Sequence, residues 1–340
     1  MTTHPADSRG HRLTARPPGA DEPVRVYDVL VVTTSEAGAF EEFQAHPPAG
    51  DPPAELGRGL SIQQLASDVA ELVMNACELR GHYYFAQRQY GCRYAFVLEQ
   101  PLSEAHTFRW DPEEVIRDAL VLSRLVRDND HSTEYSARVT EYESGELRVM
   151  PHDGGESRYV YRMLNERDWM DAAEARTLAG LLAAFWSTGR LPRRLERTLW
   201  ASEHVAWERY LDVILPTLVA ALEGMLNTSA RQVVRQFTTR VPALADELGV
   251  PDVSKRLCRR MYDARSQGAH GTDIDLLKPE ARRDETVRRL SRLQTVLRGA
   301  LRRGIEDPAF RTAFESDESV RTRWPVTVRH RAWWWQRTPL

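Results

Sequence analysis

The sequence predicts an α+β protein: an N-terminal mixed α/β domain followed by an all-α helical bundle. Three observations carry this. Short β-branched runs separated by Gly- and Pro-containing turns stop near residue 165. From Asp171 onward, apolar residues recur at three- and four-residue spacing. No convincing strand interrupts that second half before the tail. At 340 residues the chain is long enough to bury two cores.

Residues 1–23 are rich in Pro, Gly, Asp and Arg and read as a disordered leader. Residues 24–34 (VRVYDVLVVTT) have the length and branching of a buried strand. A linker follows, marked by Pro47, Pro48, Pro52 and Pro53. Leu60, Leu65, Val69, Leu72, Val73 and Cys77 lie at helical spacing, so 60–79 is expected as one helix with Ser61 as its cap. Aromatics and Val in 83–98 suggest one or two strands. Asp111-Pro112-Glu113-Glu114 then opens a helix, with Asp as cap and Pro at its first position. Residues 134–142, 146–150 and 157–162 read as short strands, turned at Ser144-Gly145 and at Asp153-Gly154-Gly155. Together 24–165 form the first domain, whose family the residues do not indicate.

The second domain spans 171–310. Residues 171–188 form an amphipathic helix stopped by Gly189. A helix starting near Ser202 runs to 226, with Pro216 as a kink point. Residues 230–248 and 253–269 add further helices. In 284–305, Val287, Leu290, Leu293, Leu297, Ala300, Leu301 and Ile305 face inward. The opposite side carries Arg288, Arg289, Arg292, Arg298, Arg302 and Arg303. Residues 311–340 are a Trp-rich tail; Trp333-Trp334-Trp335 is expected to dock in an apolar groove of the chain or of a dimer partner.

Composition excludes more than it suggests. A net charge of −3 denies a global basic field of the kind that marks many nucleic-acid binders. Lys occurs only at Lys255 and Lys278, so every other cation is Arg, the pattern of a GC-rich coding bias. Cys77, Cys92 and Cys258 are scattered, with no CxxC, which argues against a disulfide framework or zinc site. Cys258 falls on an apolar helix face and is expected in the core. The N-terminus lacks a signal-peptide pattern, and no apolar run reaches the ~20 residues of a membrane span, so a cytoplasmic protein without membrane contact is expected. No phosphate loop, HExxH, GxSxG or GxGxxG is found.

The candidate site is Tyr262-Asp-Ala-Arg265-Ser266-Gln-Gly-Ala-His270-Gly271. Arginine offers a fork of donors to a phosphate, and histidine moves protons near neutral pH. Spacing alone carries no information. About four Arg…His pairs with four to six residues between are expected from this composition, and four occur: Arg265/His270, Arg124/His131, Arg197/His204 and Arg323/His330. Context separates them. Arg323/His330 spans Pro325, Arg124/His131 runs into a polar loop, and Arg197/His204 is interrupted by the helix start expected near Ser202. Only Arg265/His270 ends an apolar helix inside the bundle. There Gly271 is a natural left-handed stop, and the dipole's negative end favours a positive charge on His270. On a straight helix, five residues rotate two side chains by about 140°. Either Gly268 loosens the last turn, or a second copy across a two-fold axis completes the site.

The segment resembles the conserved helix of HEPN domains: Arg, four to six residues with a polar one first, then His. Tyr262…Arg265-Ser266…His270-Gly271 is particularly similar to the ApeA-like branch, where a Y..RS...HG pattern recurs. Ala221-Leu222-Glu223-Gly224-Met225-Leu226 and Phe237-Thr238-Thr239-Arg240-Val241 resemble two further stretches of that branch. The likeness covers roughly residues 171–310.

The resemblance implies a HEPN-like bundle and a metal-independent endoribonuclease acting on RNA as a homodimer, with neither cofactor nor metal. His270 would serve the RNA 2′-hydroxyl or the leaving oxygen, Arg265 the phosphoryl charge, and Ser266 the orientation of either. Glu223, Tyr262 and Gly271 would support the site, with Glu223 anchoring an Arg. Arg288, Arg292 and Arg298 are candidates to track RNA. Many relatives are toxin or antiphage defence effectors, so a phage or antitoxin protein is expected as the trigger, with the N-terminal domain sensing it or selecting substrate. The alternative is a non-catalytic HEPN adaptor that dimerises or binds RNA or a partner. A purely structural helical domain would instead bury Arg265 and His270, both satisfied within one monomer.

Overall fold

The computed structural model describes residues 21–31, 54–78, 94–107, 113–127, 135–152, 171–208, 210–270, 274 and 280–326. The chain is α+β. Its N-terminal half contains β1 (Pro23–Val31), β2 (Ala54–Gly57), β3 (Leu60–Gln64), β4 (Tyr94–Gln100), β5 (Ser136–Tyr142) and β6 (Leu147–Pro151). They form a six-stranded sheet in the order β2-β3-β4-β1-β5-β6, every neighbouring pair antiparallel.

The strand period of two divides the residues between two faces. Tyr27, Val29, Val31, Ala95, Val97, Ala137 and Val139 meet Val73 and Cys77 of helix α1 (Ser67–Glu78). Leu30, Ile62, Phe96 and Leu98 point the other way, toward helix α2 (Glu114–Val126). The same face carries a buried polar group centred on Asp28 and Arg138, which stand opposite each other in the β1–β5 register.

The single helix expected over 60–79 is instead a strand followed by a helix. Gly57, Arg58 and Gly59 all have positive φ (97°, 54° and 76°), which turns the chain tightly and pairs β2 with β3. Leu60 and Ile62 then share one sheet face, so the apolar spacing belongs to two elements. The cap expected at Asp111 lies outside the described residues, as do the strand over 157–162, the turn at 153–155, the leader through residue 20 and Trp333–Trp335. Helix α2 begins at Glu114.

The C-terminal half is helical: α3 (Ala172–Thr188), α4 (Arg193–Trp207), α5 (Leu211–Leu226), α6 (Val233–Glu247), α7 (Lys255–Ala269), α8 (Glu280–Glu306), α9 (Pro308–Arg311) and α10 (Asp317–Arg323). Helix α3 starts with a reciprocal capping box between Asp171 and Glu174 and stops at Gly189, φ 71°. The helix expected from Ser202 to 226 is two helices. Helix α4 already begins at Arg193, after Pro192, and the chain is extended at Glu208 and Tyr210 before α5.

Helix α5 is central, with Ile214, Leu215, Leu218, Val219, Leu222, Met225 and Leu226 buried. One apolar cluster runs from the sheet through α2 and α3 into the bundle. Ion pairs from two buried arginines tie α2 and its C-terminal cap to the bundle, Arg124 to Glu203 of α4 and Arg127 to half-buried Glu174 of α3. The packing continues to Trp324, which lies against Phe310 and Phe314 and donates its indole N–H to Glu247 at 3.0 Å. Among the described residues, no helix is long and apolar enough to cross a membrane.

Cys258 is fully buried on α7, and burial pushes its thiol up to about 12. Only the thiolate is nucleophilic. Iodoacetamide at mildly alkaline pH is therefore expected to spare Cys258 in the folded chain and to modify it in urea, as read by peptide mass spectrometry. Rapid labelling of the native protein would contradict that burial.

Candidate phosphodiester site at the end of helix α7

Helices α5 and α7 pack side by side, and the site begins at their contact. Tyr262 and Arg265 stand one turn apart on α7, so both reach one partner on the facing helix. That partner is Glu223. Its Oε1 accepts from the Tyr262 hydroxyl at 3.4 Å and from the Asn227 side-chain amide at 3.3 Å. Its Oε2 is shielded from solvent, accepts no hydrogen bond, and lies 3.5 Å from an Arg265 guanidinium nitrogen. Charge rather than aligned hydrogen bonding holds this pair.

Arg265 keeps 32% of its side chain exposed, which leaves donors available to a second anion. Its guanidinium also lies 5.7 Å from the Tyr262 ring centre. Burial, and then the neighbouring Glu223 charge, raise the Tyr262 hydroxyl above its ordinary pKa. Tyr262 is thus a neutral donor at physiological pH. Its ring packs 5.5 Å from that of Phe237 on α6, which fixes its position.

His270 is exposed and forms the cap of α7. Its backbone N–H donates to the carbonyls of Ser266 and Gln267, both at 3.2 Å. Ser266 is half-buried one turn earlier. Gly271 lies outside the described residues. Helix α7 remains regular through Ala269, so Gly268 does not loosen the last turn. A Cβ at Gly268 would stand 3.3 Å from Pro216 Cγ and Ile274 Cδ1 and 3.6 Å from the Asp212 carbonyl. Pro216 has no N–H to offer that carbonyl, so α5 leaves it unbonded within the helix where the glycine approaches. The glycine therefore permits close packing. With a regular helix, Arg265 and His270 project about 140° apart within one chain.

The arginines of α8 are largely answered by acids. Arg289 pairs with Glu285, Arg292 with Asp252 at 3.2 Å, Arg302 with Glu306 at 3.1 Å, and Arg303 with Glu247 and Asp307. Arg288 is exposed and Arg298 half-buried. Asn227 escaped sequence reasoning because nothing local marks a residue four positions beyond Glu223 as its donor. Arg197 and His204 need correction: α4 is continuous across both, and both are exposed. Among the described residues, no group of three or more His, Cys, Asp or Glu side chains could hold a metal ion. Comparisons with models of known families, with curated proteins and with solved structures find no match.

Proposed function

We propose that the chain is a metal-independent endoribonuclease of the HEPN type, working in the cytoplasm as a toxin or defence effector. The observation that carries this is Arg265: an arginine with about a third of its side chain exposed, held by a shielded carboxylate, five residues before an exposed helix-end histidine. Such an arginine is preorganised to receive a phosphoryl oxygen, which is what phosphodiester cleavage requires as charge develops. His270 supplies the proton transfer, taking the 2′-hydroxyl proton or protonating the leaving 5′-oxygen. The 140° divergence favours a site shared by two chains, each giving Arg265 to the His270 of the other. The same divergence supports the second reading, a dimerising adaptor that binds RNA without cutting it. The N-terminal sheet, joined to the bundle through α2, would be the sensor of a phage or antitoxin trigger.

The test is cleavage of mixed cellular RNA in EDTA, and growth arrest on expression, for wild type beside His270→Ala. Loss of the histidine is expected to lower cleavage about 100-fold or more. Equal activity of the two proteins in both assays would remove the nuclease reading. RNA binding that survives in both without cleavage would leave the adaptor.

A further inference from the structure

Helix α4 presents an unexplained surface. Arg193, Arg197, Trp200 and His204 are all exposed, and their spacing of four, three and four places them on one face. Trp200 leaves 64% of its surface in solvent, an expensive exposure for the largest apolar side chain. Among the described residues, neither Arg193 nor Arg197 makes an ion pair, unlike most arginines of α8. Glu196, on a neighbouring ridge, is half-buried and pairs with neither. The buried side of α4 is fixed independently by Leu195, Leu199 and Val205 and by the Glu203–Arg124 pair, so this face contributes nothing to the core.

The face is also well placed. Arg194, beside Arg193, donates to the Gly224, Met225 and Asn227 carbonyls, so this end of α4 lies at the C-terminal end of α5. Past the other end, beyond Glu208, stand Tyr210, 61% exposed, and the start of α5. Gly268 touches that same start at Asp212 and Pro216. The stripe therefore runs the length of α5 and finishes at the end of the bundle where α7 delivers His270. The exposed line of α5 itself is Val213, Ala220 and Gly224, with half-buried Thr217 between them and no bulky side chain to obstruct a strand.

We propose that this face of α4 is a stacking platform for single-stranded RNA, with Arg193 and Arg197 on phosphates and Trp200 beneath a base. A lone exposed indole flanked by unpaired cations is the combination that holds single strands without reading sequence. The proposal rests on the nuclease or RNA-binding reading above, and adds the form of the RNA and the surface that holds it.

The experiment measures fluorescence anisotropy of a labelled uridine 12-mer in EDTA. It uses the full chain carrying His270→Ala, so that the probe stays intact. Adding Trp200→Ala is expected to weaken binding about tenfold, and Trp200→Phe to restore most of it. Arg193→Ala with Arg197→Ala is expected to lower the slope of log affinity against log salt by about 1.4, at ~0.7 per lost phosphate contact. Unchanged thermal unfolding would accompany each substitution, because these side chains lie outside the core. The platform is overturned if the variants bind like their parent, if no RNA is bound, or if Trp200→Ala alters the mass in solution instead of the affinity. That last outcome would make the face a protein contact. The two readings separate cleanly: Trp200-dependent binding without cleavage by the wild type would end the nuclease reading alone, and cleavage indifferent to Trp200 would end the platform alone.

Discussion

Arg138→Ala is expected to destabilise the folded chain by about 3–5 kcal/mol, the cost of stripping one partner from a buried ion pair. Arg138 and Asp28 are 1% and 0% exposed in the middle of the sheet. The guanidinium grips both carboxylate oxygens, at 2.8 and 2.9 Å. Its remaining nitrogen reaches the Glu104 carbonyl, the Glu104 carboxylate and the Thr107 carbonyl. One side chain thus joins β1, β5 and the segment that caps this face. Without it, among the described residues Asp28 keeps the Gln100 amide at 2.9 Å as its hydrogen-bond donor, with His152 Nε2 3.6 Å away. Arg138→Met together with Asp28→Leu is expected to recover most of the loss, since an apolar pair leaves no charge stranded between β1 and β5, and the Glu104 carboxylate, 27% exposed, can turn to solvent. Urea unfolding followed by circular dichroism measures both. A single variant as stable as wild type would mean that water reaches Asp28.

The same network sets a pH dependence. Burial alone would raise the Asp28 carboxyl, but His152 and Arg138 beside it outweigh burial and hold it below the ordinary carboxylate range. A depressed carboxyl contributes stability that is full above its unfolded value, about 3.9, and is lost as pH falls through the folded value. Acid unfolding of the Met/Leu variant is therefore expected to be less steep below about pH 4.

What the sequence made legible follows from how local each signal is. Helices α3 and α8 were readable because their apolar residues repeat within the element, and because Asp171, Glu174 and Gly189 mark the ends of α3 by short-range bonds. The β2–β3 hairpin was not. Its turn depends on Arg58 taking a positive φ, which no residue type but glycine announces, and Leu60, Leu65 and Val69 imitate a helix. The start of helix α4 at Arg193 is hard to see in the sequence because its apolar buried side is marked only by Leu195, Leu199 and Val205 amid charged residues.

The candidate site divides in the same way. His270 at a helix end was readable from the chain itself. The resemblance marks Glu223 as the anchor of an arginine without saying which; it sits 42 residues before Arg265, and only the packing of α5 on α7 brings the two together. The Asp28–Arg138 pair spans 110 residues, so inside two apolar strands each charge looks misplaced until the register is known.

Arg240→Ala is expected to cost about as much as the loss of Arg138, for a different reason. Arg240 is 2% exposed on α6, and its contacts are neutral oxygens. It donates to the Trp324 carbonyl at 2.9 Å, to Leu226 O and Gln236 Oε1 at 2.7 Å, and to Thr228 Oγ1 at 3.2 Å. Burial, and then the nearby Arg321 and Arg194 charges, lower its pKa, yet a guanidinium stays charged in any protein. What repays its burial is the crosslink of three segments: the C-terminal end of α5, the α5–α6 connection and the docked Trp324. Alanine would take this donor from the buried Trp324 and Leu226 carbonyls at about 1–3 kcal/mol each, less whatever entering water restores, whereas Gln236 Oε1 keeps Thr228 and Thr228 Oγ1 keeps Arg321 as donors. Lysine keeps the charge but offers donors from a single point, which cannot span Trp324 O and Leu226 O together, so Arg240→Lys is expected to recover less than half. Hydrogen exchange then separates charge from bridging. Amides near 226–229 and 320–324 should open together in both variants, loosening the end of α5 that carries Glu223. A lysine variant with native protection at both segments would show that a buried cation suffices there, without the fork.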